Sequence, residues 1–264
     1  MKKIIYLAAG SLFFAITSCR KSNSTYDTAV RADISIEFDN VVGSANLMLN
    51  TATYTNALNQ SFQVTKLKYY VSNFKLTNMD GTVYTVPQSE SYFLIDESIP
   101  ASQRIQLSIP EGEYKTLSFV IGVDSLRNTM DVSLRTGVLD VSEAASDMYW
   151  SWNSGYIFFK MEGISPVITS MGGVFQYHIG GFGGYSTPTS NNLKTVTLDL
   201  SARGTAKVKT GRRPNIHLFV DILKVLNGST NIDFTATPMV HSIAPGVAIA
   251  NNYASMVHHD HTEN

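Results

Sequence analysis

"SFQVTKLKYYVSNFKL", residues 61–76, decides how the chain is read. Phe62, Val64 and Leu67 occupy its first half and Tyr69, Val71 and Phe74 its second, with Lys, Ser, Thr and Asn set between them. Apolar and polar residues that nearly alternate follow the two-residue period of a half-buried strand, and aromatic and β-branched side chains favour a pleated surface. The segment predicts one long strand or a broken pair of strands. Asp80-Gly81 comes next, a residue pair suited to a two-residue hairpin, and residues 82–86 read as the returning strand.

The same signals recur outward. Residues 32–38, "ADISIEF", put Ile34, Ile36 and Phe38 on one face. Residues 91–96 form another short strand, and residues 104–109 alternate through Ile105, Leu107 and Ile109. Pro110-Glu111-Gly112-Glu113 reads as a turn. Residues 114–123 continue through Leu117, Phe119 and Ile121, and later strands fall at 174–179, 193–200 and 216–224. Nine or more short strands with turn signals between them predict an all-β fold, an antiparallel β-sandwich with long loops. Residues 125–147 are less regular and suggest loop with a helical turn near 142–145. Residues 246–257 carry Val247, Ile249, Ala250, Tyr253, Ala254 and Met256 at the spacing of one short C-terminal helix. Charged residues are only 16% of the chain, and a net charge of −1 gives no basic field for nucleic acid.

The first residues indicate an address. Lys2 and Lys3 precede an apolar run over residues 4–16, too short to span a bilayer and suited to a signal h-region. Ile16-Thr17-Ser18-Cys19 ends it like a lipobox. Cys19 is the one cysteine of the sequence, so neither an intrachain disulfide nor a Cys metal site is available. It reads as the lipidated first residue of a mature bacterial protein, anchored to a membrane without spanning it. Residues 1–18 are then a lipoprotein signal peptide, residues 19–31 a flexible tether, and residues 32–264 one β-sandwich domain.

"MYWSWNSGYIFFKMEG", residues 148–163, holds both tryptophans, Trp150 and Trp152. Trp150, Trp152, Tyr156 and Phe158 fall on one face of an extended chain and Tyr149, Ile157 and Phe159 on the other. A strand buried on both faces has this pattern, and core packing alone accounts for it.

"VTKLKYYVSNFKL" (64–76), "YFLIDES" (92–98), "FVIGVDSLRN" (119–128), "GVLD" (137–140), the tryptophan stretch, "FQYHIGG" (175–181) and "IANNYASMVHHDH" (249–261) together resemble the MbnP-like family, in the family's order and over almost all of the mature chain. The resemblance implies an all-β copper-binding envelope protein related to MopE and CorA. It implies that a diheme cytochrome c peroxidase-like partner oxidises one tryptophan to kynurenine, and that kynurenine and two histidines then hold copper. Native indole nitrogen is a donor only, whereas the opened ring offers an aryl amine and a carbonyl. Imidazole suits copper.

The metal candidates are therefore His178, Trp152, Trp150, His259 and His261. His178 matches the family motif and precedes two glycines that permit close approach. The "HHDH" ending, with His258, His259 and His261, matches a C-terminal His-x-His of relatives, and it clamps a metal only if the tail is ordered. His217, in "NIHLFVD", reads as structural, on the polar face of a strand. His241, in "VHSIAP", is left open. Where the family pattern places a histidine after the first strand, this chain has Asn40, a weak copper ligand. Asp124 and Asp147 read as acidic loop candidates, for calcium or for turn capping, with the satisfaction of nearby backbone amides favoured.

No Gly-rich phosphate loop, His-Glu-x-x-His or G-x-S-x-G elbow is present, so no enzyme is expected. The expectation is a lipid-anchored, periplasm-facing copper protein. Two alternatives stand beside it: a carbohydrate-binding sandwich using exposed Trp150, Trp152, Tyr156 and Tyr185, and a structural lipoprotein that keeps the fold without the site.

Overall fold

The computed structural model describes residues 26–143, 145–150 and 155–264. Cys19, the signal peptide and Trp152 lie outside the described residues.

Two sheets face each other. The large sheet runs in the order β12 (Lys194–Asp199), β8 (Gly112–Ile121), β4 (Ser61–Asn78), β10 (Gly155–Ile164), β11 (Val174–Gly180) and β15 (Met239–Val240). The shorter β3 (Tyr54–Thr55), β5 (Val83–Thr85) and β6 (Tyr92–Asp96) pair with β4, β13 (Ala206–Val208) pairs with β8, and β9 (Tyr149–Trp150) pairs with β10. The small sheet runs β16 (Val257–Glu263), β14 (Asn215–Asp221), β1 (Arg31–Val42) and β2 (Ala45–Asn46), with β7 (Arg104–Pro110) also on β1. Among the described residues the short α-helices are α1 (Ser125–Asn128), α2 (Leu223–Leu226) and α3 (Val247–Tyr253).

The opening stretch is one strand with a break in its ladder. β4 pairs with β10 over its first half and with β8 over its second, and its register against β8 shifts between Ser72 and Lys75. Asn73 sits in the shift at φ 56°, a left-handed conformation that asparagine tolerates. Its amide Nδ2 donates to Asp124 at 2.6 Å. Asp80-Gly81 does turn the chain, with Gly81 at φ 91°, but the loop is the three residues 79–81 rather than the two expected, closed by the NH of Asn78 donating to the carbonyl of Thr82 at 2.8 Å.

Alternation builds the core. Ile34, Ile36 and Phe38 of β1, Ile105, Leu107 and Ile109 of β7, and Ile216, Leu218 and Val220 of β14 meet Val64, Tyr69, Phe119, Phe159 and Tyr177 from the large sheet. Phe38 joins the layers, with its ring centroid 6.4 Å from Tyr69 and 5.6 Å from Phe119, both edge-on. A second apolar cluster lies on the outer face of the large sheet. There Tyr70, Tyr156, Ile157 and Phe158 pack under Leu139, Ala145, Met148 and Trp150. The irregular residues 122–143 and 145–150 are thus a cover over that face, and β10 is buried on both sides because of it. Tyr70 and Tyr156 donate their hydroxyls to the carbonyls of Val138 and Leu139, at 2.7 and 2.5 Å, and fasten the cover down.

Several local expectations are corrected. β1 and β14 pair in parallel, as do β11 and β15, so the sheets are mixed rather than purely antiparallel. The strand expected over 216–224 stops at Asp221 and turns into α2. The short C-terminal helix is present as α3, but the polar tail behind it is ordered as β16. Arg31, assigned to the tether, already pairs with Pro110 of β7, and the backbone NH of Asp27 donates to Glu111 at 3.1 Å.

Candidate metal centre

Two histidines meet on the outer face of the large sheet. His178 stands in β11 opposite Lys160 of β10. Its neighbours Tyr177 and Ile179 point into the core, so strand alternation turns the imidazole outward. β15 runs parallel to β11 and pairs Met239 with Gln176 and Val240 with Tyr177. One residue further, His241 comes level with His178. The two rings stack with centroids 4.4 Å apart and planes 17° apart.

Nε2 of His178 lies 2.7 Å from Oε1 of Glu162. Burial dominates here: it pushes the His178 imidazole down to about 4, against the pull of Glu162 and with added repulsion from Lys160 and His241. The ring is therefore neutral near neutral pH. Nε2 carries the proton donated to the carboxylate, and Nδ1 keeps its lone pair. His241 is likewise lowered, first by burial. Its Nε2 is buried with no hydrogen-bond partner among the described residues. A buried polar atom left so costs about 1–3 kcal/mol.

A charged network frames the pair. Lys160 Nζ donates to the backbone carbonyl and to Oδ1 of Asp147, at 2.5 and 2.6 Å. Lys66 and Lys68 reach Oδ2 of the same carboxylate at 3.3 and 3.4 Å, and Lys68 also meets Asp96 at 3.0 Å. Burial would raise the Asp147 carboxyl, but Lys160 and Lys66 outweigh it and hold it at about 2. Asp147 is thus a hub for lysines rather than a cap for backbone amides. Asp124 does cap: its side chain accepts from the NH of Arg127 at the start of α1, and also from Asn73, Gln88 and Tyr92.

Trp150 reaches the same face. Gly180 follows His178 by two residues, and a Cβ there would lie 2.8 Å from the indole and 2.4 Å from the carbonyl of Tyr156. The approach allowed by the glycines of "HIGG" is that of an indole. A Cβ on the next residue, Gly181, would lie 2.5 Å from Ile243. Trp150 is 5% exposed and borders a cavity of about 100 Å³ with Gly181, Phe182, Tyr185 and Ile243. From the stacked histidines, β11 leads through Gly180 to the indole, and the chain after β15 leads through Ile243 to the same cavity. Buried Trp150 and Tyr156 offer no open face on which a sugar ring could stack, whereas Tyr185 is exposed.

The C-terminal histidines lie elsewhere. β16 belongs to the small sheet, where His259 places Nε2 2.9 Å from Thr262 Oγ1 and His261 stacks on His217 with centroids 5.0 Å apart. The structure does not bring them to His178. Asn40 is also separate. It faces inward from β1, donates to Glu97 and accepts from the Tyr69 hydroxyl, each at 2.9 Å. It sits between the sheets, whereas His178 sits on the outside of one.

His241 is the member that sequence reading left open. Its signal is a two-residue parallel bridge formed by residues far apart in the chain, and such a bridge leaves no periodicity to read.

No curated protein matches the chain. Among solved structures, MbnP from Methylosinus trichosporium is similar in fold, with a TM-score of 0.54 and 17% identity over 82% of each chain. A model of the MbnP family matches residues 31–242. That span contains Trp150, His178 and His241 and ends before His258, His259 and His261. Matched over most of its length, the chain belongs to the MbnP family.

Proposed function

We propose that the protein is a lipid-anchored copper-binding protein of the bacterial cell envelope, and that His178, His241 and a ligand derived from Trp150 hold the metal. The observation that supports this reading is the stacked pair of imidazoles on a strand whose Gly180, two residues after His178, packs against a buried indole, within a chain of this family. The donor set fits copper. Imidazole is a borderline ligand suited to it, and the unpartnered Nε2 of His241 is a buried donor atom that a metal would satisfy.

Trp150 contributes a ligand only after its ring is opened, the step that family resemblance assigns to a diheme cytochrome c peroxidase-like partner. Trp152 is the other candidate for that step. Copper, when bound, supplies one-electron redox capacity. The chain's own residues do the rest. Glu162 fixes the tautomer of His178, as outer carboxylates do for ligating histidines. The Lys160–Asp147 pair holds β10 and the cover in place around it.

The role is storage, transfer or redox exchange of copper rather than catalysis. Cys19 would carry the lipid and hold the domain on the periplasm-facing side of a membrane. Among the described residues no helix is long and apolar enough to cross a membrane.

The test is to produce the protein with its oxidising partner and to measure copper per chain and intact mass together. One copper per chain and the mass of a ring-opened tryptophan are expected. His178→Ala and His241→Ala each lose the copper, and Trp150→Phe loses both copper and the mass change. Copper retained in both histidine variants overturns the reading, as does an absence of copper with an unmodified tryptophan mass.

A further inference from the structure

A second cluster of ligand-type side chains lies on the outer face of the small sheet, away from the His178 pair. β14 and β16 pair His217 with His261 across the ladder. Ile216 and Leu218 point into the core, so His217 faces out beside His261. Asp260, adjacent to His261 in β16, completes the group. Its Oδ2 lies 2.7 Å from Nδ1 of His261 and 3.3 Å from Nδ1 of His217. One ligand atom from each of the three residues falls within 4.8 Å of the others.

Three further contacts order this group. Nε2 of His217 faces Oδ2 of Asp39 at 3.6 Å, and Nε2 of His261 faces Oε1 of Glu263 at 3.6 Å. Each imidazole therefore turns one nitrogen to a common point and the other to a separate carboxylate. These carboxylates stand on the side of each ring where outer-shell partners of metal-ligating histidines stand, at a separation just longer than a hydrogen bond. Arg203 lies 3.4 Å from the other oxygen of Asp260, Oδ1, and leaves Oδ2 turned to the imidazoles. Nδ1 of His217 is buried and makes no hydrogen bond among the described residues. It aims a lone pair or a proton at the shared point without using it.

We propose that His217, Asp260 and His261 form a second metal site, distinct from the His178 centre, for a borderline divalent transition ion of the Zn(II) type. Two imidazoles and one carboxylate are a zinc ligand set that leaves a fourth position for water. Ligand atoms about 2.0–2.1 Å from such an ion sit roughly 3.3 Å apart in a tetrahedron, which is the separation of Asp260 Oδ2 from Nδ1 of His217, while the shorter contact of Oδ2 with Nδ1 of His261 would lengthen to admit the ion. Imidazole donors select against magnesium and calcium, which take oxygen ligands. The site joins the last strand of the chain to its neighbour, so an ion bound there clamps the C-terminal edge of the small sheet.

The test uses the full mature chain made without the oxidising partner, so that both indoles are intact, and titrates it with Zn(II) by calorimetry. One saturable equivalent is expected to vanish in His261→Gln and in Asp260→Asn. Glu263→Gln, which leaves all three ligands, is expected to weaken binding about tenfold. The double variant His178→Ala/His241→Ala is expected to keep the equivalent. Zinc is also expected to raise the melting temperature of the parent and not of His261→Gln. His261 is an exposed residue, and circular dichroism of the metal-free variants establishes that they fold. No saturable zinc binding, an equivalent that survives both His261→Gln and Asp260→Asn, or one that disappears with His178 and His241 overturns the proposal. None of these results depends on whether copper binds after tryptophan oxidation.

Discussion

Trp150 can lie against β11 only because residue 180 has no side chain. A methyl group there would press on both the indole and the carbonyl of Tyr156, and the carbonyl belongs to a strand that cannot yield. Gly180→Ala is expected to cost about 1–3 kcal/mol and to alter tryptophan fluorescence, read from denaturant midpoints and emission spectra. His178 supplies a pH dependence. Its imidazole titrates near 6.5 in an unfolded chain and at about 4 in the fold, chiefly through burial. Between those values the unfolded chain holds the extra proton, so acid favours unfolding. The contribution is complete above pH 6.5 and is lost as the pH falls toward 4. The drop in urea midpoint from about pH 7 to about pH 5 is expected to be smaller in His178→Gln than in the parent. Much at this scale was legible beforehand. His178 stands out by its glycine neighbours, and aromatic crowding announces burial on both faces of β10. The one strand read over residues 148–163 is two, however: β9 and β10 pair antiparallel through Trp150 and Gly155, and Tyr149 and Ile157 share the outer cluster with Trp150 and Tyr156. His241 did not stand out, because its placement comes from a backbone bridge to β11 rather than from a pattern of its own.

At the scale of elements, alternation carried the reading wherever one face is buried: Ile34-x-Ile36-x-Phe38, Ile105-x-Leu107-x-Ile109 and Leu117-x-Phe119-x-Ile121 all appear as strands with those residues inside. It failed where a strand has little to bury. "HHDHTE" has no apolar repeat, yet it forms β16 because its backbone completes the ladder of β14. Sequence patterns report side-chain burial and are silent about a polar strand recruited by hydrogen bonds alone. Removing residues 257–264 would bare one side of β14, whose Ile216, Leu218 and Val220 are core residues. An unpaired edge of this kind seeks another chain. The truncated protein is expected to self-associate where the full chain does not, as measured by light scattering, and to be less stable.

For the whole molecule, the decisive link is Phe38. It is fully buried and touches two rings of the opposite sheet. Phe38→Ala is expected to cost about 3–5 kcal/mol in a guanidinium titration, with little change in the histidine pair on the far side of the large sheet. The sandwich as a class followed from counting alternating segments. Its parallel pairs did not, since strand direction is set by how long connections route, and those leave only turn residues as a trace.

The parallel contact of β1 with β14 also imposes a schedule. Residues 31–42 leave the ribosome 173 residues (215 − 42) before residues 215–221 begin to follow. At about 5–20 residues per second, that interval is on the order of ten seconds or more. In that time β7 can arrive to cover one flank of β1, while its other flank has no native mate. Such distant pairings are slow to form even in a finished chain. A nascent chain that stalls short of residue 215 would therefore carry a half-built seam, open to whichever strand or chaperone reaches it first.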